Sequence, residues 1–221
     1  MPNVIWRKTL WAGCAAVMMC GMTDANAFQL ANRPAEEWIP RLERSERVQR
    51  IKVDEVVARL DLKPGDVVAD IGAGAGGFSF PLARAVAPGG KLLAVELQQG
   101  FLDHIELRAK EEKVVNVQPV LGGFDDPKLP SRIDVAFFHD VLHHIKNRET
   151  YLKHLASYLK PAGRIVMLEL HNPHADVPAM HILRDQVEGW LAAAGLHPVK
   201  EFDLFEDKYF VVFAKNVFAK K

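Results

Sequence analysis

Short apolar runs alternate with stretches of helical periodicity along most of the chain. The apolar runs lie at residues 67–71, 92–97, 115–121, 133–138 and 165–170. Each run is bounded by turn-forming residues, which is typical of strands that are buried on both faces. Helical patterns lie between the runs, at about residues 78–87, 98–112 and 148–160. This alternation predicts a parallel sheet with helices packed on both of its faces.

The boundaries of these elements carry turn signals. Lys63-Pro-Gly-Asp66, Ala87-Pro-Gly-Gly-Lys91 and Lys160-Pro-Ala-Gly-Arg164 each close a predicted helix and precede an apolar run. The end of the chain differs, because a helical pattern stops at Gly195 and predicted strands at 198–205 and 209–213 follow across a short turn. These two strands predict a β-hairpin, so the last strand is expected to run antiparallel to the others.

A polar, charge-rich leader at residues 28–50 precedes the predicted domain at residues 51–221. The domain begins with an amphipathic helix whose apolar residues recur at helical spacing, namely Val53, Val56, Val57 and Leu60. Two interpretations of the leader stay open. It braces the core, or it folds over a ligand cleft as a lid, with Trp38 and Ile39 as apolar contacts.

Residues 1–27 show the three regions of a secretory signal peptide in order. Two basic residues precede an apolar stretch at residues 10–22, and Ala25-Asn-Ala27 provides a cleavage site. The apolar stretch is shorter than the about 20 residues that a stable membrane anchor needs. We therefore expect a periplasmic or secreted protein that is cleaved after Ala27 and keeps no membrane anchor. The alternative is a misassigned start, with a cytoplasmic product that begins at Met22.

Composition limits the function classes. The chain has 221 residues with 49% hydrophobic content, which suffices for one domain with a full core. The formal net charge is zero, so nucleic-acid binding through phosphate neutralisation is not indicated. Both cysteines, Cys14 and Cys20, would leave with the signal peptide, so the mature chain would have neither a disulfide nor a thiol nucleophile. The sequence does not indicate an oligomeric state.

A glycine-rich segment follows the first predicted strand and contains both G-x-G-x-x-G and G-x-G-x-G. Asp70 precedes its first glycine by two residues, where a carboxylate attracts a cationic ligand and disfavours a pyrophosphate. The pattern of Asp70 with Gly72, Gly74 and Gly76 resembles the first motif of the class I S-adenosylmethionine-dependent methyltransferases. The resemblance implies S-adenosylmethionine as the cofactor, bound by residues of this segment: Asp70, Gly72, Ala73, Gly74 and Gly76.

The order of elements also resembles this family. Its fold is α/β, a doubly wound, Rossmann-like sheet of seven mostly parallel strands in the order 3-2-1-4-5-7-6, with an antiparallel C-terminal hairpin. Nicotinamide-binding Rossmann sheets typically have six parallel strands instead. The resemblance spans about residues 50–215 and is closest to the branch that acts on small molecules, including quinone and sterol-like substrates.

Two acids after the second and third strands extend the resemblance. Glu96 ends the second strand, where an acid accepts hydrogen bonds from ribose hydroxyls in methyltransferases and in nicotinamide enzymes alike. In the family, an acid in the loop after the third strand contacts the adenine amino group beside an apolar residue. The resemblance implies Asp125 rather than Asp126 for this role, and an Asx turn that leads into Pro127 is the alternative.

The segment from Asp134 to Ile145 resembles the fourth strand and following loop of the same branch, where Leu-His-His is common. His139 and Asp140 are expected at the carboxyl end of this strand, beneath the reactive methyl group. The catalytic interpretation makes His139, Asp140 or His143 a base that deprotonates the acceptor. The structural interpretation, which we favour for His143, has it hydrogen-bond within the loop. No metal site is expected, because neither H-E-x-x-H nor paired cysteines occur.

These features predict an enzyme that transfers a methyl group from S-adenosylmethionine to an unidentified small-molecule acceptor. Two alternatives stay open. The G-x-G-x-x-G pattern suggests an NAD-dependent oxidoreductase, which Asp70 and the terminal hairpin disfavour. The other alternative is a non-catalytic protein that kept the fold and binds an adenosyl ligand. Export favours this alternative, because the cofactor is made in the cytosol.

The amino terminus of the protein from its native host distinguishes export from a misassigned start. We expect intact-mass spectrometry to find Phe28 as the first residue, since Ala25-Asn-Ala27 fits the small-residue requirement of the signal peptidase. A first residue at Met22 would contradict export.

Overall fold

Seven strands form one sheet in the order that the family resemblance implies. The structure is a computed structural model that describes residues 33–171 and 182–215. The strands are β1 (Val67–Ile71), β2 (Lys91–Glu96), β3 (Val117–Leu121), β4 (Ile133–His139), β5 (Leu159–Leu170), β6 (Leu196–Glu201) and β7 (Lys208–Lys215). Their order is β3-β2-β1-β4-β5-β7-β6, and only the pairs made by β7 are antiparallel. The predicted Rossmann-like methyltransferase fold is confirmed.

Helices lie before β1 and between the strands. Those before β1 are α1 (Ala35–Leu42), α2 (Ser45–Arg50) and α3 (Val53–Arg59). Those after β1 are α4 (Ser79–Ala85), α5 (Gln99–Glu111), α6 (Arg148–Tyr158) and α7 (Arg184–Ala193), and a 3-10 turn spans Leu142–His144. The sequence did not predict α1 and α2, because helices of eight and six residues are too short to show a clear periodicity. The predicted signal peptide lies outside the described residues, so export stays a prediction.

The central strands are buried on both faces, which explains their continuous apolar sequence. Along β4, Ala136 and Phe138 pack into the layer that contains residues of α6 and α7, whereas Val135 and Phe137 pack into the layer that contains residues of α3 and α4. All four side chains are fully buried. Burial of a phenylalanine contributes about 1.5–3 kcal/mol, so β4 is a firmly held base for the loop that follows it.

Strand β5 begins earlier than the sequence predicts. Lys160–Arg164 was expected to be a turn before a strand at Ile165, but Leu159 already pairs with Ile133 of β4. The next pair joins Arg164 to Val135, so the segment between them bulges out of the ladder. The predicted start was wrong because Pro-Ala-Gly here interrupts a strand without ending it.

The first position after β1 needs glycine for two reasons, a positive backbone φ and the lack of room for a Cβ. Gly72 has a φ of 70°, and a Cβ built on it would lie 2.3 Å from Cγ2 of Val141. Gly65 has a φ of 95° and has nothing within 4 Å of the same position. A side chain at position 65 would therefore cause backbone strain alone, whereas one at position 72 would also clash with Val141.

We expect Gly65→Ala to lower the free energy of unfolding by about 1–2 kcal/mol through strain alone. Gly72→Ala should lower it further, and Val141→Ala in the same chain should recover the excess because it removes the obstructing methyl groups. Urea denaturation without ligand compares the unmodified chain with Gly65→Ala, Gly72→Ala, Val141→Ala and the double variant at positions 72 and 141. Strictly additive effects of the two substitutions at Gly72 and Val141 would contradict the contact.

Candidate functional site

The glycine-rich turn after β1 is shaped mainly by packing. Gly72 lies under Val141, and a Cβ at Gly76 would lie 2.8 Å from Cε2 of Phe80. Ala73 is 9% exposed and belongs to the small core cluster beneath the turn. The turn is therefore fixed from below, by the loop after β4 and by helix α4, before any ligand binds.

Gly74 is the point where the leader and strand β2 meet this turn. A Cβ at Gly74 would lie 3.1 Å from Cδ1 of Leu42, which ends α1. The backbone N–H of Gly74 donates a hydrogen bond of 2.9 Å to Oε1 of Glu96. The turn is thus held to the end of β2, and the leader lies directly against it.

Asp70 is a buried acid at the carboxyl end of β1. Its side chain is enclosed, with the residue only 3% exposed, and its Oδ2 accepts a hydrogen bond of 2.6 Å from the Ser79 hydroxyl. The pKa of Asp70 is raised to about 7, mainly by burial and to a smaller extent by the nearby Glu96 carboxylate, while the hydrogen bond from Ser79 opposes the shift. A buried acid of this kind gains most from a cationic group placed beside it.

Glu96 lies at the carboxyl end of β2, as the sequence predicts. Besides the Gly74 N–H, it accepts a hydrogen bond of 2.8 Å from the backbone N–H of Leu97 to Oε2. Burial raises its pKa, although both backbone hydrogen bonds oppose that shift. Each carboxylate oxygen has a second acceptor site, so Glu96 can hold the loop and still accept hydrogen bonds from two hydroxyl groups.

The predicted adenine-binding acid is engaged in the protein itself. Oδ1 of Asp125 accepts a hydrogen bond of 2.6 Å from Asn147 Nδ2 on an exposed part of the loop after β3. Asp126 accepts one of 2.7 Å from the backbone N–H of Lys128, which is an Asx-type turn, and one of 3.1 Å from the Tyr158 hydroxyl. The alternative of an Asx turn therefore holds at Asp126, and the role of Asp125 stays a prediction.

Exposed apolar side chains lie at the same edge. Leu97 follows β2, Leu121 ends β3 and Phe124 follows β3, with exposed fractions of 42%, 51% and 69%. The sequence analysis did not single out Leu97 or Leu121, although each directly follows or ends an apolar strand. Three apolar residues at neighbouring strand ends provide a surface suited to a planar ring.

His139 and Asp140 lie at the end of β4, and Lys208 joins them from the start of β7. Lys208 Nζ donates to both carboxylate oxygens of Asp140 at 2.5 Å. His139 Nε2 lies 3.2 Å from Oδ2 of Asp140 but makes no hydrogen bond among the described residues. The sequence analysis missed Lys208, whose one signal is a lysine at the start of an otherwise apolar strand.

The electrostatics of this cluster limit its chemistry. Burial lowers the pKa of His139 to about 3. Burial opposes ionisation of Asp140, but its interactions with His139 and Lys208 outweigh burial and lower the pKa of the carboxyl group. A neutral imidazole and an ion-paired carboxylate with lowered pKa values are both poor proton acceptors near neutral pH.

His143 is buried in the 3-10 turn after β4. Its Nδ1 lies 2.7 Å from Oε1 of Glu169, which is fully buried at the end of β5. Oε2 of Glu169 accepts hydrogen bonds from the backbone N–H groups of Val141 and Leu142, at 3.1 and 2.8 Å. This arrangement corresponds to the structural interpretation of His143, since the pair fixes the path of the loop.

The leader lies across the carboxyl edge of the sheet. Glu43 Oε1 contacts two residues of α5, with distances of 2.9 Å to Nε2 of His104 and 3.3 Å to a guanidinium nitrogen of Arg108. Just after the leader, Lys52 Nζ donates a hydrogen bond of 3.1 Å to the carbonyl of Leu204, between β6 and β7. The leader is therefore held to α5, the chain just after it is held to the segment before β7, and the role of the leader as a lid stays a prediction.

Comparisons with known proteins give this geometry a context. The methyltransferase domain family matches residues 69–165. The demethylmenaquinone methyltransferase of Geobacillus sp. (strain WCH70) is 25% identical over 54% of this chain and 52% of its own length. The 2-phytyl-1,4-naphtoquinone methyltransferase of Synechococcus elongatus is 30% identical over 51% of this chain and 49% of its own length. The chain thus spans about half the length of these curated relatives.

A solved structure agrees with the fold. The S-adenosylmethionine-dependent methyltransferase of Aquifex aeolicus superposes with a TM-score of 0.72 at 20% identity, over 82% of this chain and 98% of that one. The chain therefore has the class I methyltransferase fold, and residues 69–165 match the methyltransferase domain family. These matches support the predicted enzyme class and the predicted cofactor.

Two features are absent from the described residues. Residues 33–171 and 182–215 contain no helix long and apolar enough to cross a membrane. The same residues contain no group of three or more histidines, cysteines or acids arranged to hold a metal ion. The segment after His171, which includes His174, lies outside the described residues.

The raised pKa of Asp70 predicts how stability depends on pH without ligand. Because the pKa is about 7 in the folded chain and 3.8 in the unfolded chain, the free energy of unfolding should fall as pH rises from about 4 to about 7. The contribution is at most about 4 kcal/mol. Asp70→Asn, which cannot ionise, should lose this fall, as measured by urea denaturation across the range. An unchanged pH profile in Asp70→Asn would contradict the shift.

Proposed function

We propose that this chain transfers a methyl group from S-adenosylmethionine to a small-molecule acceptor. The proposal proceeds from the methyltransferase domain at residues 69–165 and from the class I fold. The observation that carries it is the placement of two acids, the buried Asp70 and the partly buried Glu96, on either side of a preformed glycine-rich turn. Asp70 would contact the cationic amino group of this cofactor, and Glu96 would contact the two hydroxyl groups of its ribose.

The residues present fit the cofactor. Asp70 gains from a cation, and the amino group of the methionine part would stabilise its ionised form. Glu96 keeps acceptor capacity for both ribose hydroxyls. Leu97, Leu121 and Phe124 offer the adenine ring an apolar surface. Gly72, Ala73 and Gly76 would contribute indirectly, because their packing determines the shape of the turn against which the cofactor would lie.

Methyl transfer depends mainly on the alignment of the acceptor atom with the methyl group. The sulfonium of the bound cofactor supplies an activated methyl group, so the protein has to hold the acceptor atom in line with it. Such positioning contributes up to about 7–11 kcal/mol to lowering the barrier. His139, Asp140 and Lys208 lie at the end of β4, beside the carboxyl end of β1, and are suited to orienting the acceptor.

The acceptor class is the finer part of the proposal. The relatives named above are quinone-type methyltransferases, and the cavity beside β7 has phenylalanine side chains in its wall. Both support an aromatic, amphipathic acceptor. A screen of phenolic and quinol acceptors, followed through release of S-adenosylhomocysteine, tests the activity. Tight cofactor binding without product from any class would favour the non-catalytic alternative.

Cofactor binding tests the site directly. S-adenosylmethionine at 100 times its Kd should stabilise the protein by about 2.7 kcal/mol, whereas NAD should not shift the melting temperature. Glu96→Ala should weaken binding by about 1.5–3 kcal/mol in calorimetry, because two hydroxyls lose a charged acceptor.

Glu106→Ala is the matched control, since Glu106 is an exposed acid on α5 whose partner among the described residues is Lys110. Its affinity should equal that of the unmodified chain. A melting shift with NAD alone would overturn the cofactor assignment. Equal affinities for Glu96→Ala and Glu106→Ala would remove Glu96 from the site.

A further inference from the structure

We propose that Trp38 of the leader belongs to the cofactor site, where its indole N–H donates a hydrogen bond to an oxygen of bound S-adenosylmethionine. Because it concerns the bound cofactor, this role of Trp38 rests on the proposed methyl transfer. It adds a donor from the leader to the two acids at the ends of β1 and β2.

Helix α1 of the leader lies against the segment that contains Glu96. Near the start of α1, a Cβ at Gly100 of α5 would lie 3.0 Å from Cβ of Ala35, which is only 2% exposed. At the end of α1, Cδ1 of Leu42 would lie 3.1 Å from a Cβ at Gly74. Gly74 donates its N–H to Glu96, and Gly100 follows Glu96 by four residues. Two positions without a side chain thus let α1 approach the end of β2 closely.

Trp38 lies between these two contacts, on the same face of α1. Residues 35, 38 and 42 are spaced by three and four positions, which places their side chains along one side of a helix. The guanidinium carbon of the exposed Arg41 lies 5.3 Å from the centre of the Trp38 ring, within the range of a cation–π contact. The ring is therefore oriented by the protein itself.

The indole N–H of Trp38 is a buried donor without an acceptor. Its nitrogen is closed off from solvent, and within residues 33–171 and 182–215 it has no hydrogen-bond partner. A buried donor left unpaired destabilises a fold, and the large majority of buried polar groups in native proteins are paired. An oxygen of a bound ligand would remove this cost.

The cofactor carries oxygens that the two acids cannot serve. Ionised Asp70 and Glu96 only accept hydrogen bonds, so they suit the amino group and the ribose hydroxyl protons of the ligand. The ribose oxygens and the carboxylate of the methionine part need a donor instead. An indole N–H only donates, and therefore complements the acids.

The donor is held in place before the ligand binds. Besides the contacts of Ala35 and Leu42, Oε1 of Glu43 lies 2.9 Å from His104 and 3.3 Å from Arg108 on α5. A side chain that is already ordered loses little conformational entropy on binding. The lid interpretation gives Trp38 an apolar contact with a ligand, and the buried N–H adds a polar one.

Trp38→Phe tests this role, because it keeps an aromatic ring and removes the N–H. In calorimetry with the full chain, we expect S-adenosylhomocysteine to bind this variant about three- to tenfold more weakly if the acceptor is a ribose oxygen. The loss should exceed about tenfold if the acceptor is the carboxylate, since hydrogen bonds to charged groups are stronger.

A second ligand distinguishes the two oxygens. The decarboxylated analogue of S-adenosylhomocysteine keeps the ribose and keeps the amino group for Asp70. A loss of affinity for both ligands in Trp38→Phe would indicate a ribose oxygen. A loss for S-adenosylhomocysteine alone would indicate the carboxylate. Either result supports the proposed hydrogen bond.

Trp190→Phe is the matched control. Trp190 is a partly buried tryptophan on α7 that packs against the core. This variant should bind both ligands like the unmodified chain. The melting temperature of each variant without ligand checks that the substitution leaves the fold intact.

Nuclear magnetic resonance gives a measurement that does not depend on a variant. With isotope-labelled tryptophan, the indole proton of Trp38 is identified by its proximity to the Arg41 side chain. In the unmodified chain, its signal should move downfield when S-adenosylhomocysteine is added, as the signal of a proton does when it enters a hydrogen bond.

Failure of this role differs from failure of the proposed function. If S-adenosylhomocysteine binds, but Trp38→Phe and Trp190→Phe bind it equally well, the role of Trp38 is overturned and the cofactor proposal stands. An indole signal of Trp38 that stays in place on binding overturns it as well. If S-adenosylhomocysteine does not bind the unmodified chain, the proposed function fails, and the role of Trp38 with it.

Discussion

The carboxylate of Glu169 connects the two halves of the site. It is fully buried at the end of β5, and it engages His143 and the backbone N–H groups of Val141 and Leu142. Those bonds fix the loop after β4, and Val141 in turn lies against Gly72 in the turn after β1. A buried acid of this kind is stable only because all of its partners are present. The shape of the cofactor turn therefore depends on a residue from a strand two positions away in the sheet.

Charge is distributed unevenly along the edge of the sheet where β1, β2 and β4 end. The ends of β1 and β2 provide Asp70 and Glu96, whose pKa values are raised by burial. The end of β4 and the start of β7 provide Asp140 and Lys208, which form an ion pair. The two acids attract cationic groups to the ends of β1 and β2, whereas the charges of Asp140 and Lys208 balance each other.

The fold was predictable because its signals are local. Runs such as Val67–Ile71 and Ile133–Phe138 are apolar and bounded by turns, and the terminal hairpin revealed the antiparallel strand. The acids at strand ends, Asp70 and Glu96, were predictable for the same reason. The pairing of Lys208 with Asp140 was not, because it joins residues 68 positions apart. The engagement of Asp125 by Asn147 was hidden as well, since nothing in a single sequence shows which loops touch.

The antiparallel direction of β7 has a geometric consequence for the acceptor side. Because β7 starts where β5 ends, its first residue, Lys208, pairs with Leu170 and reaches the edge that carries the site. In a parallel strand of the same eight residues, the first residue would lie about 25 Å away at the far edge, at roughly 3.3 Å per residue. The reversal of a single strand is thus what delivers a buried cation to the cleft. A β7 that ran parallel to β5 would leave Asp140 without this cation.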